Sequence, residues 1–439
     1  MSQKDPISKP TNVRWYGGFL VLLLCFVAYL DRANFSVNAS PIMKAIHISP
    51  IQFGVMTTVF SVGYFIFQIP GSLLVERYGS RSILTFSLIL WSIFTFFTGA
   101  AGTFVSLAIV RFFFGVGEAP LFPSGNHFFA NWFTKKERGR ANSLMNGGSF
   151  LSNIVGPPII VAVAVALGWR WTFYLAGILG LVVAVLWFIQ MRSRPEQHAR
   201  VNSEELALIR NDGVEQGDGQ KKIAPWGLFL RQRSFWMIAL GYFSTLWVVQ
   251  FFIYWLPYYL QASRHLSFKS MGFYTSIPWI SITIAVFFAG TVSDALMKRG
   301  WSKYKSRNLI SIVGLLISGI SLVISTTTTS AISDIVWISI ALGTAGFSQT
   351  LAWAIATDLG GQFTSTVGGW MNTWGFIAAS IVPTVAPIVA RDLGWNAAIL
   401  LNAAITILGV IGYALVQTNQ PLKHTTAKPE SVTPSDITA

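Results

Sequence analysis

Twelve long apolar runs dominate this sequence, and they leave few folds open to it. They lie near 16–38, 52–75, 83–101, 104–129, 142–166 and 171–190 and, after a polar stretch of some 40 residues, near 235–261, 270–297, 308–327, 331–356, 365–390 and 395–417. Each approaches the roughly 20 residues that a helix needs to cross the hydrocarbon core of a bilayer. In lipid every backbone N–H and C=O must be satisfied within the chain, which admits helices or closed barrels. These runs are too long for barrel strands and do not alternate as such strands do. The prediction is therefore an all-α membrane protein with twelve transmembrane helices.

Composition agrees. Only 11% of the 439 residues are charged, against about 25% in a soluble domain. The net charge of +14 would suit a nucleic-acid partner, but the basic residues sit in short tracts between the apolar runs rather than on one soluble face, so no nucleic acid is expected. The single Cys25 excludes a disulfide framework. His47, His127 and His265 are isolated, and no metal site is expected. The basic start and apolar first run lack a small-residue cleavage site, so they read as a first membrane helix rather than a cleaved signal peptide.

The loop charges predict an orientation. Of the 31 Lys and Arg, 24 fall in the N-terminal tail, the even-numbered connections and the C-terminus, five fall in the odd-numbered connections, and Arg32 and Arg111 lie within helices. The positive-inside rule then places both termini in the cytoplasm. The expected division is an N-terminal six-helix bundle (1–190), a cytoplasmic linker (191–233) with a short amphipathic helix at 203–211, a C-terminal six-helix bundle (234–418) and a disordered cytoplasmic tail (419–439). The two bundles echo each other. "GSLLVERYGSR" closes the second span and "GTVSDALMKRG" the eighth. Glu76, Arg77 and Arg81 in the first, and Asp294 and Arg299 in the second, are candidate gating residues that latch the cytoplasmic side through ion pairs. Paired halves of this kind are built to rock against each other around a central site.

Ionisable groups inside a span cost about 2.5–3.5 kcal/mol each on insertion scales and mark function. Four lie well inside: Asp31, Arg32, Arg111 and Glu118. Two are positive and two negative, so together they can neutralise one another in one shared site. Arg111 and Glu118 are seven residues apart, nearly two turns, and share a helix face about 10 Å apart in height. Antiparallel packing puts Asp31 level with Arg111. An acid beside an arginine changes its proton affinity when the arginine moves or is occupied by an anion, which is an adequate device for coupling protons to an anionic substrate. Arginine stays charged and offers a fork that fits carboxylates, so either Arg32 or Arg111 is the natural anchor.

The strings "YLDRAN", "GYFIFQIPGSLLVERYGSR", "LAIVRFFFGVGEAPLFPSGNHFFANWFTKKERGRA" and "GGWMN" resemble the major facilitator superfamily. Within it they are similar to the anion:cation symporter family, with its bacterial sugar-acid and aromatic-acid permeases and its vesicular glutamate and sialic acid carriers. The resemblance runs from about residue 15 to 417 and implies two pseudo-symmetric six-helix bundles. It implies a multi-pass protein of the bacterial inner membrane, a monomer that imports a small organic anion with the proton as coupling ion and no other cofactor. It matches Asp31 and Glu118 to protonatable carboxylates and Arg32 and Arg111 to substrate- and coupling-related arginines. Tyr29, Tyr64, Trp353 and Asn372 match cavity-lining positions. Three departures bear on the pocket and gate. Ser72 and Glu76 replace the usual Gly and Asp. Ser149 stands where sugar-acid members usually carry glutamine. Leu246 and Gln250 stand where glucarate-like members tend to show Asn and Trp. Ser149 and Gln250 are thus candidate substrate contacts, and the aromatic Trp247, Phe251 and Tyr254 leave room for an aromatic acid.

The sequence opposes three other functions. A proton-driven exporter of drugs or metabolites is opposed by "GPPIIVA" in the fifth span, which lacks the GG expected two residues after GP. A non-transporting sensor would need a soluble signalling domain that neither linker nor tail provides. An enzyme is opposed by the lack of a phosphate loop or nucleophile–base pair.

Overall fold

The computed structural model describes residues 9–211 and 224–423. Among them every regular element is helical. The first half runs α1 (Val13–Val37), α2 (Ala39–Ile46), α3 (Pro50–Ala100), α4 (Phe104–Glu118), α5 (Leu121–Trp132), α6 (Arg138–Leu167) and α7 (Trp169–Gln190). The linker carries α8 (Ser203–Asn211) and α9 (Trp226–Phe229). The second half comprises α10 (Arg233–Ala262), α11 (Phe268–Lys298), α12 (Leu309–Thr327), α13 (Ala331–Gly360), α14 (Thr364–Leu393) and α15 (Trp395–Leu415).

Eleven helical stretches are long and apolar enough to span a bilayer. The longest, α3, is two spans in one, because Gly79 adopts φ 80° and turns the chain between them. Only glycine takes such a φ without a steric penalty. Twelve crossings result, as the apolar runs predict. One span is itself broken: α4 stops at Glu118 and α5 restarts at Leu121, since Pro120 supplies no N–H to continue the ladder. Polar caps set several starts. Ser49 and Gln52 form a reciprocal capping box at the head of α3, and Thr103 and Ser106 do the same for α4, each satisfying N–H groups that a helix leaves orphaned. Large apolar side chains such as Phe86, Val105, Ile189, Phe288 and Leu393 are exposed around the bundle, as a lipid-facing surface requires.

The buried core is divided in a way that matters for transport. One cluster joins both halves: Phe35, Phe53 and Met56 of the first pack with Trp255, Tyr259 and Val382 of the second. All of these lie towards the helix ends remote from the basic loops, here termed the closed end. The buried residues of the other two clusters come from one half each, the first around Trp91, Phe128 and Trp132 and the second around Phe235, Ile355 and Tyr413, with part-buried Phe376 of the second half packed against the first. Polar contacts also link the halves at the closed end: Ser36 Oγ donates to Tyr254 O (2.9 Å) and Thr58 Oγ1 to Ser380 O (2.8 Å). A Cβ on Gly54 would fall 2.0 Å from Pro383 O, so the two halves meet backbone to backbone there.

The linker and tail are less free than the sequence suggests. Glu205 of α8 is fully buried. It accepts hydrogen bonds from Thr11 Oγ1 (2.5 Å), Val13 N (3.1 Å), Arg14 N (3.1 Å) and Arg14 Nη1 (2.9 Å). It thus caps the first turn of α1, where an anion is favoured. Arg14 Nη2 pairs on its other side with Glu137 (3.0 Å). Burial opposes ionisation of both acids, but the hydrogen bonds from Thr11 and Arg14 outweigh it and hold Glu205 below its ordinary value. The Arg14 guanidinium does the same for Glu137. Residues 212–223 of the linker lie outside the described residues. Of the expected disordered tail, 419–423 is docked, with Leu422 N donating to Leu359 O (2.9 Å) and Lys423 N to Gln232 Oε1 (2.8 Å); residues 424–439 lie outside the described residues.

Candidate functional site

The site begins with a close helix contact. A Cβ on Gly115 of α4 would lie 2.2 Å from Phe60 O of α3, and one on Gly63 would lie 2.4 Å from Phe112 O. Glycine at both positions lets the two backbones touch. This sets Phe60 and Tyr64 beside the polar face of α4, which carries Arg111 and Glu118.

All four intramembrane charges are buried: Asp31 is 2% exposed, Arg32 9%, Arg111 3% and Glu118 0%. Arg32 Nε donates to Glu118 Oε1 at 2.8 Å and its Nη2 reaches the same oxygen at 2.5 Å. The guanidinium is also held over the rings of Tyr29 (4.8 Å), Phe60 (5.1 Å) and Tyr64 (5.4 Å). Arg111 lies instead against Phe35 (4.4 Å) and Phe114 (4.3 Å), and its Nε has no hydrogen-bond partner. Neither oxygen of Asp31 has one either. The Thr95 hydroxyl, Glu118 and Arg111 are the polar and charged groups nearest that carboxyl.

The acid–base pairing therefore differs from the one that spacing suggests. Glu118 is paired with Arg32, not with Arg111 two turns along its own helix, and Asp31 forms no ion pair with Arg111. The reason is directional. Helix side chains lean towards the N-terminus of their own helix. Arg32 on α1 thus bends towards the bundle centre, where Glu118 lies, while Arg111 on the antiparallel α4 leans away from Glu118 towards Phe35 at the closed end.

Between the halves lies a cavity of about 630 Å³. Tyr29, Arg32, Tyr64, Gln250, Trp353 and Asn372, all named as candidates above, line it. Its wall extends to Asn142 and Asn372, about one and two turns from the basic-end starts of α6 and α14, so it opens at the basic end. Among the described residues Arg32 is the only charged group in the lining. The remainder is rich in amides, namely Gln68, Asn126, Asn142, Asn146, Gln250, Gln349 and Asn372. Buried Oε1 atoms of Gln250 and Gln349 have no partner.

Several expected residues stand elsewhere. Ser149 is buried, donates to Met145 O (3.1 Å) and is not part of the lining. Trp247, Phe251 and Tyr254 belong to the shared closed-end core rather than the cavity, so they do not form an aromatic pocket. Arg111 and Asp31 lie behind the cavity wall. Glu76, Arg77, Asp294 and Arg299 are exposed, with no ion pair among them in the described residues, and Arg81 donates to Phe188 O (2.7 Å). Gln68, Asn126, Asn142, Asn146, Tyr242 and Gln349 were missed. A signal was present in the spacing: Tyr64/Gln68, Asn142/Asn146, Gln349/Trp353 and Asn372/Phe376 are i,i+4 pairs, one stripe per apolar helix.

This architecture, twelve spans in two halves around a central cavity, is that of a membrane transporter. Residues 21–383 match the model of the Major Facilitator Superfamily, and the chain belongs to that family of transporters; it is not an enzyme. It is 30% identical to the probable L-galactonate transporter of Escherichia coli strain K12 over 95% of this chain and 92% of that one. It is also 30% identical to the probable galactarate/D-glucarate transporter of Bacillus subtilis, over 98% of this chain and 97% of that one. In fold it is similar to a bacterial homologue of the human lysosomal transporter Spinster, with a TM-score of 0.76 at 17% identity over 93% of this chain and 98% of the other.

Proposed function

We propose that the protein is a proton-coupled symporter that imports a small organic anion, with sugar acids as the substrate class, across the inner membrane of a bacterium. The observation that carries this reading is the cavity wall: one arginine among seven amides. Arg32 offers the charge and fork that a carboxylate needs. The amides supply donors and acceptors for hydroxyl groups, which an apolar pocket cannot do. The names of the curated relatives point to the same class of substrate.

Coupling follows from the Arg32–Glu118 pair. A substrate carboxylate that takes the Arg32 fork displaces Glu118. A carboxylate left unpaired in a dry site is costly as an ion, so Glu118 takes a proton as the substrate binds. Loss of that proton returns Glu118 to Arg32 and expels the anion. Asp31, buried beside Arg111 and Thr95, is assigned as a second proton site. The basic end is assigned to the cytoplasm, on the charge asymmetry of the loops. The cavity then faces inward here, and uptake requires the halves to rock until the closed end opens. In the inward-open arrangement Glu76, Arg77, Asp294 and Arg299 stand apart, and they are assigned to latch the basic end when it closes.

Purified protein in proteoliposomes tests the reading directly. With an inward proton gradient it should accumulate L-galactonate or D-glucarate above the external level, and a protonophore should abolish the excess. Failure to take up any of a panel of sugar, aromatic and aliphatic acids would overturn the substrate class. Accumulation indifferent to the protonophore would overturn proton coupling.

A further inference from the structure

A second cavity, of about 400 Å³, lies at the closed end between the two halves. The first half contributes Ser40 and Lys44 from α2 with Pro50 from the head of α3, and the second half contributes Tyr258 and Gln261 from the end of α10. The central cavity opens at the other end of the bundle, so the two are separate compartments.

Its chemistry is one-sided. Lys44 is exposed and has no ion pair among the described residues. The Gln261 Nε2 atom is buried without a hydrogen-bond partner. Ser40 and Tyr258 add hydroxyls at the same wall. No carboxylate lines the cavity. At this end of the protein the only described acids are Asp334 and Asp392, and Arg264 (2.8 Å) and Arg391 (2.6 Å) already neutralise them. A cation, an unsatisfied amide donor and two hydroxyls without an opposing acid form a place for an anion. The volume lies at the lower end of the range for small-molecule sites.

We propose that this cavity binds a small carboxylate at the closed end and that its occupancy holds that end shut. The wall is split between the halves, so the site exists only while they are in contact there. A ligand that binds one state and not the other shifts the equilibrium towards the state it binds. An anion seated between Lys44 and Gln261 therefore opposes reopening, and acts as a brake when the anion is abundant on that side. The site is independent of Arg32 and would stand even if the central cavity carried a different substrate.

The experiment separates the two sites. Binding of D-glucarate, acetate and inorganic phosphate to the purified protein is measured by calorimetry and thermal shift in the wild type, in Arg32→Ala, and in Arg32→Ala combined with Lys44→Gln or Gln261→Leu. A carboxylate-binding phase should persist in Arg32→Ala and weaken at least tenfold when either second substitution is added. Uptake by the wild type should also fall at high external carboxylate, whereas Lys44→Gln alone should keep its rate. If Arg32→Ala binds no carboxylate, or if the residual phase is unchanged by both second substitutions, the site does not exist. If phosphate alone binds there, the carboxylate assignment is wrong. Loss of the central phase in the wild type, with the second phase intact, would count against the sugar-acid reading and not against this one.

Discussion

Arg32 and Glu118 form a 2.5 Å ion pair of which only the arginine reaches the cavity. The carboxylate is the buried partner, so a ligand can compete for the arginine without touching the acid. This division of access is what the proposed coupling requires of the pair. A static brace between α1 and α4 would have no need of it.

Replacing Glu118 with Gln should uncouple transport. The amide keeps the shape but has no proton to exchange and no charge to compete for Arg32. Gradient-driven accumulation of the substrate should collapse to equilibration, while exchange of labelled for unlabelled substrate across the membrane continues. Measured accumulation equal to that of the wild type would sink the assignment of Glu118 as a proton site.

Arg32→Lys should weaken substrate binding by roughly 10- to 100-fold, because an ammonium cannot offer two parallel donors to a carboxylate. It also loses the three-ring cradle of Tyr29, Phe60 and Tyr64. Arg111→Lys should leave binding much less affected, since Arg111 lies behind the wall against Phe35 and Phe114. Isothermal calorimetry on the two variants decides between the arginines.

Gln250→Ala removes one amide from the lining and should raise the half-saturation concentration of a hydroxylated acid by about 2- to 10-fold, the range of one neutral hydrogen bond. For an acid of similar size without hydroxyls the change should be near zero. Transport kinetics with matched pairs of acids measure the difference.

Gly54→Val should bias the protein away from the arrangement described here, because its side chain would collide with the backbone of Pro383 where the halves meet. Cysteines placed along the open-end cavity, at Asn142 for example, should react more slowly with a membrane-impermeant thiol reagent added on that side.

Glu137 and Glu205 give the fold an acid-sensitive joint. Both are held below the ordinary glutamate value in the folded protein. Their contribution to stability is therefore complete above the unfolded value of about 4.3, and it is lost as the pH falls through the depressed folded values. Glu205→Gln should lower the melting temperature by a few degrees at neutral pH and flatten the loss of stability in acid. A thermal melt series across pH 3 to 7 checks the sign.

The number of spans was legible because apolar length is a direct consequence of bilayer thickness, and Asp31, Arg32, Arg111 and Glu118 stood out because charge in lipid is rare. The partnership between Arg32 and Glu118 was not legible. It depends on which way two long side chains lean on antiparallel helices, and sequence spacing along one helix carries no record of its neighbour. The amide lining was missed for a different reason. Asn142 and Asn146 lie near the basic end of α6, among residues that resemble an ordinary polar helix start, and only the facing wall of Gln250 and Gln349 makes them part of a cavity. The break at Pro120 could have been read from "GEAP", whereas the docking of Glu205 on α1 joins residues nearly 200 positions apart.

The division of the core into one shared cluster and two separate ones means that the two ends of the protein shut by different forces. The end now closed is an aromatic and aliphatic zipper, whose strength depends on excluding water and weakens on cooling. At the basic end the proposed latch of Glu76, Arg77, Asp294 and Arg299 would draw on charges that salt screens over about 8–10 Å. On the proposed mechanism, temperature and ionic strength would act as two separate handles on one equilibrium: cooling would loosen the closed end, and salt the grip of the other.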